Sequence, residues 1–260
     1  MLKASNKIFF LGTGTSQGIP VIGCSCKVCS SHDTRDRRLR TSALINFDGK
    51  SLLIDIGPDF RQQMLANSLS RVDAVLLTHQ HADHTSGIDD IRPVNFLQDQ
   101  PIPFYGTRQV LEDLKRRFEY IFGPNDYPGI PQIDLIEFLP GRKFHFQGIE
   151  IEALPVMHGQ LPVTGFRIGS LAYITDAKTL SDELVESLYG IDCLVLNALH
   201  HREHHAHLNL SQALDYVHRI NPNRTFLVHL SHHMGLFSEI CETLPQGVSL
   251  AYDGLQIELI

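Results

Sequence analysis

An apolar run at residues 74–77 leads directly into Thr78-His79-Gln80-His81-Ala82-Asp83-His84. His79 and His81 are two positions apart, so at the end of an extended segment both side chains point the same way. Asp83 and His84 follow after a turn and supply a second pair. Imidazole nitrogens together with a carboxylate suit Zn, Mn or Fe. Four ligands from one loop exceed what a single catalytic metal usually takes from it, which points to two ions. The fold must therefore bring further ligands from distant segments to the end of this strand. The chain is well supplied, with 15 His and no Trp.

Short β runs bounded by turn residues, with a few helices between them, make up the rest of the 260 residues. Strands are expected at 7–11, 42–47, 51–56, 104–105, 144–146, 149–154, 165–168, 171–175, 193–197 and 225–229. Asp48-Gly49 suits a type I′ hairpin turn between two of them. Helices are expected at 60–69, 109–122, 180–188 and 211–220, and a loop at 123–131. The alternation is α/β, and two β-rich halves with interleaved helices suggest a four-layer αβ/βα sandwich. A hydrophobic fraction of 43% and a charged fraction of 20% fit one globular domain over residues 1–260. The apolar runs fall short of a membrane span, and no apolar leader opens the chain, so the expected location is the cytoplasm. With 22 basic and 29 acidic residues the net charge is −7, which argues against a stable nucleic-acid partner.

The His79-x-His81-x-Asp83-His84 run resembles the signature of the metallo-β-lactamase fold hydrolases. The resemblance implies that His79 and His81 hold one metal with a later His. It implies that Asp83 and His84 hold a second with another later His, and that a carboxylate bridges the two. His158, after the strand at 149–154, matches the first of these later His. Asp176, at the end of the strand at 171–175, matches the bridging carboxylate. His229, closing the strand at 225–229, matches the last His. Asp55, after residues 52–54, matches an Asp that supports the metal loop. Two cations ~3.5–4 Å apart can bridge a water, bring its pKa toward neutrality and present hydroxide to an electrophile. Asp83 would then serve catalysis as well as ligation.

Three of the five Cys lie within six residues, Cys24-x-Cys26-x2-Cys29. Outside an oxidising compartment this spacing reads as a metal site, not a disulfide framework. Three thiolates and one imidazole close a tetrahedral structural Zn site; the fourth ligand is expected to be His232, with His233 as its competitor. This knot, with residues 11–20 and Ala251-Tyr252-Asp253-Gly254, resembles the PhnP phosphodiesterases of carbon–phosphorus lyase systems over essentially the whole chain. That resemblance implies one structural Zn on Cys24, Cys26, Cys29 and His232, and two divalent ions, Mn or Zn, in the active site. It implies small cyclic phosphodiester substrates, such as 5-phosphoribosyl 1,2-cyclic phosphate or 2′,3′-cyclic nucleotides, and a homodimer is possible. The same resemblance implies a general-acid His just before a helix N-cap. His207, ahead of Asn209, fits, with His205 as the alternative in a segment that also holds His200, His201 and His204.

Three other readings share these ligands: a tRNA 3′-processing nuclease, a lactonase or thioesterase, and a carrier resembling the PqqB family. No basic tRNA-binding insertion is present, and an intact ligand set favours turnover over carriage. The basic run Arg35-Asp36-Arg37-Arg38-Leu39-Arg40 either reaches a substrate phosphate or is a solvated loop offset by Asp33 and Asp36. Gly12-Thr13-Gly14 lacks the third Gly and the helix of a dinucleotide fingerprint.

Overall fold

A computed structural model describes residues 6–124 and 127–260. The first half of the chain builds β1 (Lys7–Gly12), β2 (Ser42–Phe47), β3 (Lys50–Ile54), β4 (Ala74–Leu76), β5 (Ile102–Gly106) and β6 (Ile133–Glu137). The second builds β7 (Lys143–Phe146), β8 (Ile149–His158), β9 (Leu161–Ile168), β10 (Leu171–Ile174), β11 (Cys193–Asn197), β12 (Arg224–Val228) and β13 (Val248–Leu250). The last strand, β14 (Gln256–Glu258), returns to pair with β1, so two seven-stranded sheets run β14-β1-β2-β3-β4-β5-β6 and β13-β12-β11-β10-β9-β8-β7. Each sheet has an antiparallel part and a parallel part, β3 to β6 in one and β10 to β13 in the other.

Period-two alternation explains why the sheets stack. Ile8, Phe10, Ala74 and Leu76 face Ile151, Phe166, Tyr173 and Val195 in one buried core between the sheets. The alternate residues face outward under helices. Leu44, Leu53 and Val75 pack against α1 (Phe60–Ala66), α3 (Arg92–Gln98) and α4 (Arg108–Arg117), with α2 (Ala82–Thr85) lying between α1 and α3 in the chain. Leu194, Leu196 and Leu227 pack beneath α6 (Asp182–Ser187), α7 (Leu210–Ile220) and α8 (Phe237–Cys241), while α5 (Glu119–Phe122) continues from α4. Helix, sheet, sheet, helix is the four-layer sandwich expected.

The β2–β3 turn is as its sequence dictates, with positive φ at both Asp48 (47°) and Gly49 (76°). Asn209 caps α7 with a full capping box to Gln212. Some expectations are corrected. The helix at 109–122 is two helices, parted at Phe118 (ψ 47°). At this break the Arg117 guanidinium donates to Gln80 O (3.1 Å) and Thr85 Oγ1 (2.8 Å), fastening the end of α4 to the metal-loop segment. β8 does not stop at residue 154 but runs to His158 through Pro155. The amide N–H groups of Ala153 and Met157 bond Arg142 O and Thr179 O on that edge, and Pro155 falls between these two links, where no ladder donor is required. Of the loop expected at 123–131, residues 125–126 lie outside the described residues. Among the described residues no helix is long and apolar enough to cross a membrane.

Candidate metal centre

The strand ends meet at one rim. β4 runs into Thr78 and His79, β8 ends at His158, β10 leads to Asp176, and β12 leads to His229. Asp55, Asp176 and His229 adopt left-handed φ of 59°, 58° and 57° directly beyond a strand or one residue further on. For side chains with a Cβ this costs on the order of 1 kcal/mol or more each, and such strain concentrates at functional sites. The metal loop also approaches β3 unusually closely. A Cβ on Gly57 would sit 2.2 Å from Asp83 O, and one on Gly87 would sit 2.0 Å from Gly57 O. Only glycine fits at either position.

Hydrogen bonds orient three imidazoles. His84 Nδ1 lies 2.6 Å from Asp55 Oδ2 and His158 Nδ1 lies 2.8 Å from Ala206 O, so both Nδ1 atoms carry the donated proton. Thr78 Oγ1 donates to Asp55 Oδ2 (2.8 Å) and therefore accepts from His79 Nδ1 (2.9 Å). In its neutral form each ring thus carries its proton on Nδ1 and its lone pair on Nε2, the tautomer a metal requires. His79 Nε2, His84 Nε2, His207 Nδ1 and both nitrogens of His229 are buried with no hydrogen-bond partner. Buried unpaired polar atoms are costly, and five from one cluster fit a divalent cation better than any protein donor.

Ligand atoms fall into three tight groups: His79, His84 and Asp176; Asp83, His84 and His229; and His158, Asp176 and His207. Asp176 is central, with Oδ2 3.3 Å from His84 Nε2 and Oδ1 3.1 Å from His229 Nε2. His81 belongs to none of these groups, but its ring stands 4.5 Å from that of His79 and 5.3 Å from that of His158. All seven residues of the expected set therefore share one site. Burial pulls the His79 imidazole well below its ordinary pKa. Burial opposes charge on His84 too, yet Asp176, Asp55 and Asp83 outweigh it and hold the ring well above its ordinary value. Burial would raise both Asp83 and Asp176, but the surrounding His drive both carboxyls far below the usual range. This concentration of negative charge is what a cation would meet.

His207 projects into the same space. Its ring is 4.4 Å from His158 and 4.8 Å from His229, and Nδ1 is 3.7 Å from Asp176 Oδ1. Burial, helped by His229, brings its pKa down to about 2. His205 is exposed. At the second cluster, the Sγ atoms of Cys24, Cys26 and Cys29 lie 3.3, 3.4 and 3.4 Å from His232 Nδ1. With Zn–S near 2.3 Å and Zn–N near 2.0 Å, a tetrahedral angle would separate sulfur and nitrogen by about 3.5 Å, close to this spacing. The Cys29 N–H holds the Cys26 thiol down to about 6, while burial pushes Cys29 up to about 11. His233 is exposed and outside this group.

The basic run is mostly engaged within the protein. Arg35 pairs with Asp33, buried Arg38 donates to Thr13 Oγ1, and Arg40 pairs with Asp59. Sequence reasoning missed Thr78, the relay between Asp55 and His79, and Asn197. Fully buried Asn197 closes β11 and exchanges hydrogen bonds with Ala177 N (2.7 Å) and O (3.0 Å), fixing the backbone beside Asp176. A lone amide ending a fully apolar strand was its available signal.

Two metal-ligand clusters on paired β-sheets with outer helices define the class. Residues 50–230 match the family model described as Beta-lactamase superfamily domain. The crystal structure of a new diphosphatase from the PhnP family is 37% identical, with a TM-score of 0.92, covering 99% of this chain and 98% of that one. The chain accordingly belongs to the beta-lactamase superfamily and, within it, to the PhnP family. It is also 42% identical over 252 residues to an octanoyltransferase of Porphyromonas gingivalis, covering 96% of this chain but 51% of that protein. The chain thus spans about half the length of that relative. Zn(2+)-bound PqqB from Methylobacterium extorquens shares the fold at 20% identity, TM-score 0.79, covering 97% of this chain and 100% of that one.

Proposed function

We propose that this metal-dependent hydrolase is a phosphodiesterase of small molecules, with cyclic phosphodiesters as its foremost substrates. The observation that carries the reading is the near full-length likeness to a PhnP-family diphosphatase. His79, His81 and His158 would hold one divalent ion and Asp83, His84 and His229 a second, with Asp176 shared; Mn or Zn suits these donors. Cys24, Cys26, Cys29 and His232 would hold a structural Zn. Such ions supply an acidified water and offset charge on phosphoryl oxygens. Asp55 and Thr78 keep the Nε2 lone pairs of His84 and His79 turned inward. His207, its side chain 12% exposed beside Asp176, would give a proton to the departing oxygen, having taken it up only when a negatively charged phosphoryl group offsets the burial and the neighbouring His229 that keep the free ring neutral.

The test is hydrolysis of bis(p-nitrophenyl) phosphate and a 2′,3′-cyclic nucleotide by protein refilled with Mn or Zn, beside an ester, a lactone and an octanoyl thioester. Diester turnover that falls about 10²- to 10⁴-fold in His207→Ala, with metal content kept, supports the reading. Silence on both diesters overturns it. A second reading, acyl hydrolysis, draws on the relative named octanoyltransferase, and turnover of the thioester alone would select it.

A further inference from the structure

Pro155 marks a gap in the outer edge of β8. The Ala153 and Met157 N–H groups on that edge donate to Arg142 O and Thr179 O, and β7 pairs with β8 only as far as Glu152, so no strand covers the interval between them. A cavity of about 280 Å³ lies there, with Pro140, Pro155, Met157, Pro162, Thr164 and Thr179 among its walls and no charged side chain. Three of these walls run directly into the metal centre. Met157 precedes His158. Its N–H donates to Thr179 O (3.0 Å) and its oxygen accepts from the Thr179 N–H (3.1 Å), three residues beyond Asp176. The Thr164 N–H donates to the oxygen of Thr78 (3.0 Å), the residue before His79. The apolar walls are open to water: Met157 is 36% exposed, and Pro140, Pro155 and Pro162 are exposed. Proline offers no N–H and has a fixed φ, so most of this surface is ordered before anything binds. Met157 supplies the one adaptable contact. A stiff apolar hollow beside a centre built for anions suits a ligand with a charged head and an apolar substituent.

We propose that this cavity holds an apolar substituent of the substrate, so that the enzyme prefers phosphodiesters carrying an alkyl chain over those whose substituents are small or hydrophilic. The inference rests on the phosphodiesterase reading. The phosphoryl group sits among the metal ligands, and the substituent passes His158 to lie against Met157. The cavity brings no group to the reacting phosphorus, so its effect is on binding and grows with the apolar area covered.

Methyl, butyl, hexyl and octyl phosphate share one head and differ only in the chain, and calorimetry with the metal-loaded protein tests the proposal. Affinity is expected to rise by up to about fourfold per methylene and to level off once the cavity is full. Met157→Glu places a carboxylate against the chain and is expected to reduce the hexyl-to-methyl affinity ratio about tenfold or more, whereas Met157→Leu retains it. Equal metal content in all three proteins shows that His158 is undisturbed. A series that is flat in the wild type overturns the proposal, and so does a ratio that Met157→Glu leaves unchanged. A flat series together with a wild-type dimer that Met157→Glu splits in sedimentation also overturns it, since the apolar face would then cover a second copy of the chain. Turnover of bis(p-nitrophenyl) phosphate is followed in parallel. If the wild type turns over no diester, the phosphodiesterase reading fails, while a rising series that Met157→Glu flattens still supports the cavity and a flat one overturns it.

Discussion

Replacing Asp55 with asparagine exchanges one carboxylate oxygen for an NH2 and leaves volume and shape almost unchanged. Asp55 is 1% exposed and makes three contacts: it accepts from Thr78 N (2.8 Å), from Thr78 Oγ1 (2.8 Å) and from His84 Nδ1 (2.6 Å). An amide can still accept from the Thr78 N–H through its oxygen. Its NH2 then faces His84 Nδ1–H, two donors at hydrogen-bond distance. The imidazole relieves this by moving its proton to Nε2, which removes the lone pair turned toward Asp176 and Asp83. Loss of such an outer partner typically costs 10- to 100-fold in metal affinity, about 1.4–2.7 kcal/mol. The measurement is competition with a chromophoric chelator, following release of the active-site metal while the metal proposed for the Cys cluster would serve as an internal reference. A weakening confined to the His-held metal is expected. Affinity within about twofold of wild type would show that Asp55 does not set the tautomer, and the orientation argument for His79 and His158 would fall with it.

Arg117→Ala removes the link from α4 to Gln80 O and Thr85 Oγ1, so chelator stripping of the active-site metal should accelerate several-fold while the fold is kept. His232→Ala should lose one equivalent of Zn in a metal assay and lower the melting temperature, whereas His233→Ala, outside the cluster, should do neither. Burial raises Asp253 to about 6 although it accepts from Thr13 Oγ1 and Leu39 N. A folded pKa above the unfolded one means that the folded state holds the proton more tightly. The contribution is therefore full below about pH 4 and lost as pH rises through 6. Denaturant titrations should find the difference between wild type and Asp253→Asn falling over that window by at most about 3 kcal/mol, less because the residue touches solvent; a flat difference would refute the assignment.

Where one residue type served one local need, the sequence was legible. Asp48-Gly49 could only be a tight hairpin, Asn209 followed three residues on by Gln212 was a capping box, and His79-x-His81-x-Asp83-His84 at a strand end announced a metal loop. What escaped was set by tertiary context. β6 lies at a sheet edge with Asp134, Ile136 and Glu137 exposed, so its pattern lacked the clean alternation of a half-buried strand. α3 carries Pro93 in its first turn and leaves Phe96 and Leu97 exposed, which erased the apolar stripe by which a helix is read. Pro155 marked a false end to β8 because only the third dimension tells which edge of a strand needs its N–H.

The same distinction separates ligands from their supports. A metal ligand must be one of few residue types, so His158, Asp176 and His229 could be sought by chemistry and by position at strand ends. A support needs only one hydrogen-bonding atom in the right place. For His158 that atom is the backbone oxygen of Ala206, which any residue would supply, and for His79 it is a hydroxyl that is itself held by Asp55. Side-chain identity therefore fixes which atoms can meet a cation, while the backbone path of residues 55, 78 and 206 decides which nitrogen of each ring is free to do so. The left-handed turns at Asp55, Asp176 and His229 place that path under strain, and the close approaches at Gly57 and Gly87 hold it there. A centre built this way is specified twice, once by ligand chemistry that a sequence displays and once by loop geometry that it does not.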